Sequence, residues 1–80
     1  MLHEIKYTTK IGRNVINAFK KIHARRVCHG DIRCENILVR SDGAAVIVDF
    51  EMSTIDADEE ELNAEMREVK YLLASLKGKR

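Results

Sequence analysis

Two carboxylates and one amide stand out in VCHGDIRCENILVRSDGAAVIVDFEMS, residues 27–53: Asp31, Asn36 five positions on, and Asp49 thirteen further. Asp31 and Asn36 share a polar loop, HGDIRCEN, and Asp49 closes an apolar run. Two β-type runs lie between them, Ile37–Arg40 and Ala45–Phe50, separated by SDGA. Asp42-Gly43 supplies the positive φ angles of a tight hairpin. A hairpin returns the chain to its starting point, so the strand beginning after Asn36 comes close to the strand end that carries Asp49. Oxygen donors of this kind suit Mg²⁺, which takes one or two carboxylates and completes its shell with phosphates and water. Singly, each residue has a plainer role: Asp31 as a loop residue with a local hydrogen bond, Asn36 as a turn or cap residue, His29 as a packed or surface histidine. Their conjunction is what points to chemistry.

Two amphipathic helices flank this stretch. Ile11, Val15, Phe19 and Ile22 recur at helical spacing over residues 9 to about 26, with Thr8 or Thr9 as N-cap and Arg25 and Arg26 at the negative end of the dipole. Leu62, Met66, Val69, Leu73 and Leu76, widened by Leu72, mark a second helix over residues 59–77. Asp58 and Glu61 have capping-box spacing, and Gly78 stands where a helix-terminating glycine belongs. With Val27 and Cys28 as a short extended piece, the expected fold is α+β: helix, loop, hairpin, loop, helix.

HGDIRCEN resembles the protein-kinase catalytic loop, H-R-D-L-x-x-x-N, and Val48-Asp49-Phe50 resembles the strand end entering D-F-G. The separations and the preceding helix match the element order of the kinase C-terminal lobe over residues 9 to about 53. The resemblance implies ATP and Mg²⁺ as ligands. It makes Asp31 the group that accepts or orients the proton of an attacking hydroxyl, and Arg33 a cation near the transferred phosphoryl group. Asn36 and Asp49 become the metal and nucleotide-phosphate ligands, and Leu38 an apolar floor beneath the adenine. His29 and Phe50 become packing residues.

The chain departs from the family in four places. Gly30 replaces the arginine of H-R-D, and Glu51 replaces the glycine of D-F-G. H-G-D and D-F-E resemble aminoglycoside and choline kinases, whereas Arg33 and Glu35 fit the protein-kinase pattern. No A-P-E follows, and the second helix starts about ten residues after Phe50, which makes Ser53 and Thr54 poor candidates for activating phosphosites. That helix could correspond to the central helix of the lobe, with Glu65 or Glu68 anchoring the catalytic loop; the plainer reading is a helix covering the hairpin. Finally, Gly12, Gly30, Gly43 and Gly78 cannot form G-x-G-x-x-G, and no V-A-I-K-like lysine precedes the first helix. Residues 1–80 thus read as a partial kinase-like domain, truncated and inactive alone. Two other readings stand beside it: a non-catalytic interaction module derived from the fold, and a small-molecule phosphotransferase.

Composition narrows the remaining classes. The net charge of +1 gives no footprint for nucleic acid. Seven basic residues against Glu4 over residues 1–26, and seven acidic ones against Arg67 over residues 56–68, read as two solvated helix faces of opposite sign. Cys28 and Cys34 lack the partners for a zinc site, and the charged start MLHEIKYTTK has no export signal. The apolar run Ala44–Val48 is too short to cross a membrane. The expected setting is cytoplasmic or nuclear. The expected partners are ATP and a hydroxyl-bearing protein acceptor, with a protein partner or self-association through the 59–77 helix.

Overall fold

The computed structural model describes residues 6–77 as two helices, a 3₁₀ turn and an antiparallel hairpin. Helix α1 spans Thr9–Ala24, capped by Thr8, whose hydroxyl accepts the Ile11 N–H at 3.2 Å. It stops two residues short of expectation because Arg26 turns left-handed, at φ 62°. Arg26 N–H then reaches the His23 carbonyl at 2.9 Å and Val27 N–H the Ile22 carbonyl at 3.4 Å. These are the two bonds of a Schellman ending, here with arginine where glycine is usual.

Strands β1 (Ile37–Val39) and β2 (Ala45–Ile47) pair with Ile37 opposite Ile47 and Leu38 opposite Val46. Both are shorter than the sequence runs. The turn also differs: among Asp42 and Gly43 only Gly43 has positive φ, at 90°. Gly43 N–H closes a turn on the Arg40 carbonyl at 2.9 Å, Arg40 N–H pairs with the Ala44 carbonyl at 2.9 Å, and Asp42 Oδ1 accepts the Ala44 N–H at 3.0 Å. This is the wider hairpin loop in which one left-handed glycine follows an ordinary turn. The second strand ends early because Asp49 is itself left-handed, at φ 63°, which turns the chain out of the sheet.

Helix α2 spans Glu59–Lys77. Its capping box is formed as expected: Glu61 N–H donates to Asp58 Oδ1 at 2.8 Å and Asp58 N–H to Glu61 Oε1 at 3.0 Å. The expected terminator, Gly78, lies outside the described residues. Val15 and Phe19 of α1, Ile37 of β1, and Val69 and Leu73 of α2 form the buried core. The apolar stripe of α2 is therefore largely turned inward, with Leu62, Met66, Leu72 and Leu76 half-buried. Among the described residues the exposed large apolar side chains lie mostly elsewhere, at Leu38, Val46, Phe50, Met52, Ile55 and Tyr71.

Candidate active site

The loop between α1 and β1 is held from beneath by one buried carboxylate. Glu65, 5% exposed, accepts the His29 N–H at 2.9 Å on Oε1 and the Gly30 N–H at 2.8 Å on Oε2. His23 Nε2, from the last turn of α1, meets Oε1 at 2.7 Å. One side chain of α2 thus ties the end of α1 to the loop. Of the two acids proposed as anchors, Glu65 performs the task and Glu68 is exposed. Cys28 lies beside this cluster, and burial first, then the Glu65 charge, pushes its thiol upward. The ligand atoms of His23, Cys28 and Glu65 lie within 4.8 Å of one another. Hydrogen bonds already engage both Glu65 oxygens, which accounts for the grouping. No disulfide joins Cys28 and Cys34.

His29 links the loop to the second strand. Its ring is fully buried, and Nε2 lies 2.7 Å from the Val48 carbonyl oxygen, which can only accept. Nε2 therefore carries the proton, and Nδ1 is left to accept the Asp31 N–H at 3.2 Å. Phe50 meets the ring edge-on at 4.8 Å and Phe19 at 6.4 Å. The packing roles expected for His29 and Phe50 are visible in these contacts. Val48 is gripped on both sides, since its N–H also donates to the Asn36 carbonyl at 2.9 Å. Asp49, the next residue, leaves this clamp in its left-handed conformation with its carboxylate exposed. Non-glycine residues rarely adopt this region outside special sites, although aspartate is among those that tolerate it.

Asp31, Arg33 and Asn36 meet directly. Arg33 forks onto the Asp31 carboxylate, Nε to Oδ1 at 2.9 Å and Nη2 to Oδ2 at 3.0 Å. This hydrogen bonding, reinforced by the guanidinium charge, holds the Asp31 carboxyl below the ordinary carboxylate range. Asn36, 6% exposed, donates from Nδ2 to the Asp31 main-chain oxygen at 2.9 Å. Its nitrogen is committed, so its amide oxygen is the atom left to offer a cation. Leu38 and its partner Val46 point away from the core as an exposed apolar pair. An open groove of about 800 Å³ lies between α1 and β2, lined by Asn14, Lys21, Ile22, Val46, Ile47 and Phe50 among others. None of Asp31, Arg33, Asn36 and Asp49 lines it, so the oxygen donors form a surface arrangement apart from it.

The sequence profile of the protein kinase domain matches residues 2–74. The chain belongs to the protein kinase domain family. Among curated proteins it is 36% identical over 56 residues to the serine/threonine-protein kinase GRIK2 of Arabidopsis thaliana, covering 70% of this chain and 14% of that one. It is 42% identical over 40 residues to the serine/threonine-protein kinase pak-2 of Caenorhabditis elegans, covering 50% of this chain and 8% of the relative. It is 41% identical over 44 residues to a bifunctional serine/threonine-protein kinase/NEDD4-like E3 ubiquitin-protein ligase of Dictyostelium discoideum, covering 55% and 2%. The chain thus spans a small fraction of the length of these relatives. No solved structure matches it. The α+β architecture accords with part of a kinase C-terminal lobe, and no described helix is long and apolar enough to cross a membrane. Sequence reasoning missed His23 as a partner of Glu65. The available signal was its position four residues after Phe19, on the inward face of α1.

Proposed function

We propose that this chain supplies the catalytic-loop and cation-binding part of a protein kinase that transfers the ATP γ-phosphoryl group to a protein hydroxyl. The observation that carries this reading is the Asp31–Arg33–Asn36 cluster, joined to Asp49 through the His29–Val48 clamp. The donor set fits Mg²⁺: one carboxylate from Asp49 and one amide oxygen from Asn36, both hard ligands. When bound, that ion offsets charge on the nucleotide phosphates. Asp31, kept ionised by Arg33, accepts or orients the proton of the acceptor hydroxyl, and Arg33 places positive charge nearby. Leu38, with Val46, offers a flat apolar surface to a base. The serine/threonine-protein kinases among its relatives support a protein acceptor over a small molecule.

Taken alone, the 80 residues contain no glycine-rich phosphate loop. The isolated chain is therefore expected to bind ATP·Mg²⁺ weakly and to turn over little. In a chain that also carries a glycine-rich phosphate loop and a strand lysine, it is expected to transfer phosphate. Asp31→Asn should then lower turnover about 10²–10⁴-fold with nucleotide affinity nearly unchanged, whereas Asp49→Asn should weaken Mg²⁺-dependent ATP binding as well. Equal loss of ATP affinity in both variants contradicts this division of roles. Indifference to both favours a non-catalytic interaction module, for which exposed Phe50, Met52 and Ile55 are better contact candidates than the half-buried stripe of the 59–77 helix.

A further inference from the structure

The chain after Asp49 returns along the strand that leads into the catalytic loop. Ala57 N–H donates to the Arg26 carbonyl at 2.9 Å. Cys28 and Thr54 exchange both main-chain hydrogen bonds, at 3.0 and 2.9 Å, as an antiparallel bridge. Two residues further in each direction, Gly30 faces Met52. Here the two backbones come closer than any side chain allows. A Cβ on Gly30 overlaps the Met52 carbonyl oxygen and stands 2.9 Å from its carbonyl carbon and 3.3 Å from its Cβ. Gly30 also has φ 88°, and its N–H is held by Glu65. The obstructing atoms are main-chain atoms, which cannot swing aside as the end of a flexible side chain can.

We infer that Gly30 is a positioning residue: by having no side chain it admits the Met52 backbone, and so latches residues 50–56 onto the catalytic loop. The latch has three successive points, Arg26–Ala57, Cys28–Thr54 and Gly30–Met52. It closes the chain segment that begins at Asp49, with Phe50 packed on His29 at one end and Ala57 fully buried at the other. Asp49 leaves the Val48 clamp on one side and enters this latched segment on the other, so its left-handed backbone is fixed from both directions. The consequence for cation binding rests on the reading of Asp49 given above. The latch itself does not.

Gly43 provides an internal control. Its φ, 90°, is nearly that of Gly30, yet a Cβ there meets only Asn14 Nδ2 at 3.7 Å and Lys10 Cε at 3.8 Å, ordinary contacts. Gly43→Ala thus carries the left-handed penalty without the collision. Amide hydrogen exchange on the intact chain is expected to show Cys28, Thr54 and Ala57 protected in the wild type. In Gly30→Ala their exchange should accelerate about tenfold or more relative to Arg40, a ratio from which any global loss of stability cancels. In Gly43→Ala the three amides should not accelerate relative to Arg40. Paramagnetic broadening at Asp49 by added Mn²⁺ should weaken several-fold in Gly30→Ala only. Unprotected Cys28 and Thr54 amides in the wild type overturn the latch whether or not the variant folds, as does equal acceleration in both variants. Failure of Gly30→Ala alone to fold supports the collision. Loss of the latch with undiminished Mn²⁺ broadening overturns the positioning role. A wild type that is protected but never broadened overturns the reading of Asp49 and leaves the latch standing.

Discussion

Replacing Glu65 by alanine removes the acceptor for two main-chain N–H groups and one imidazole at a site only 5% exposed. Each buried donor left without a partner costs about 1–3 kcal/mol. Gly30 lies at the surface, where water can reach its N–H, so the sum falls short of three full penalties. A total of about 3–5 kcal/mol follows, in line with removing one partner from a buried, hydrogen-bonded charged group. A domain of this size has a total stability of roughly 4–12 kcal/mol at ordinary per-residue values. Glu65→Ala is therefore expected to remove a large share of it. Glu65→Gln keeps one acceptor oxygen but turns an NH₂ toward a donor, and should cost about 1–3 kcal/mol. Glu68→Ala, on the exposed face of the same helix, should stay within about 0.5 kcal/mol. Urea denaturation followed by far-UV circular dichroism measures all three. With a slope near 1 kcal/mol/M, the Glu65→Ala midpoint should fall by about 3–5 M or the protein should be unfolded from the start. A Glu65→Ala midpoint equal to that of Glu68→Ala refutes the anchoring role.

Asp58→Ala opens the capping box of α2 and should cost about 1 kcal/mol in the same denaturation assay; no loss contradicts the reciprocal bonds. Arg33→Ala should move the Asp31 carboxyl back up toward ordinary values, read from the carboxylate carbon shift across a pH titration. Because the folded-state pKa is lowered, the stabilisation linked to Asp31 is present above its unfolded value and is lost as pH falls through the folded one. An unchanged midpoint in the variant means that the ion pair does not form in solution. Cys28 should react slowly with thiol reagents in the native state and rapidly in urea, and Cys34→Ser should leave that slow phase intact. With the Cys28 pKa raised, its contribution is present below the unfolded thiol value and is lost as pH rises through the folded one. Fast alkylation of native Cys28 contradicts its burial.

The helices and hairpin are legible in the sequence because their apolar periods, 3.6 and 2, are set by local geometry. The lengths of the strands are not. β2 ends where His29 takes the Val48 carbonyl and Asp49 turns left-handed, and both follow from contacts across the chain rather than from the run of valine and isoleucine. The hairpin loop shows a similar limit, since Asp42-Gly43 signals a turn without saying which residue has positive φ. Asp31, Arg33 and Asn36 are brought together by five residues of local chain, so their spacing alone came close to the observed cluster. Glu65 and Glu68 look alike as members of an acidic helix start. Only the packing face separates them: Glu65 stands four residues before buried Val69, inside the apolar stripe, and a charge there calls for a partner. The contact of Gly30 with Met52 depends on how two irregular segments meet, and no spacing rule conveys it.

The central claim, that Asn36 and Asp49 form a cation site beside Asp31, is tested most directly by mapping where a divalent ion sits on the ¹⁵N-labelled chain. Mn²⁺, standing in for Mg²⁺, should broaden the amide resonances of Asp31, Asn36 and Asp49 first, more strongly with ATP present, and Asp49→Ala should abolish that pattern. Broadening centred on Asp56–Glu61, where acidic side chains gather at the start of α2, with no response at Asp49, contradicts it.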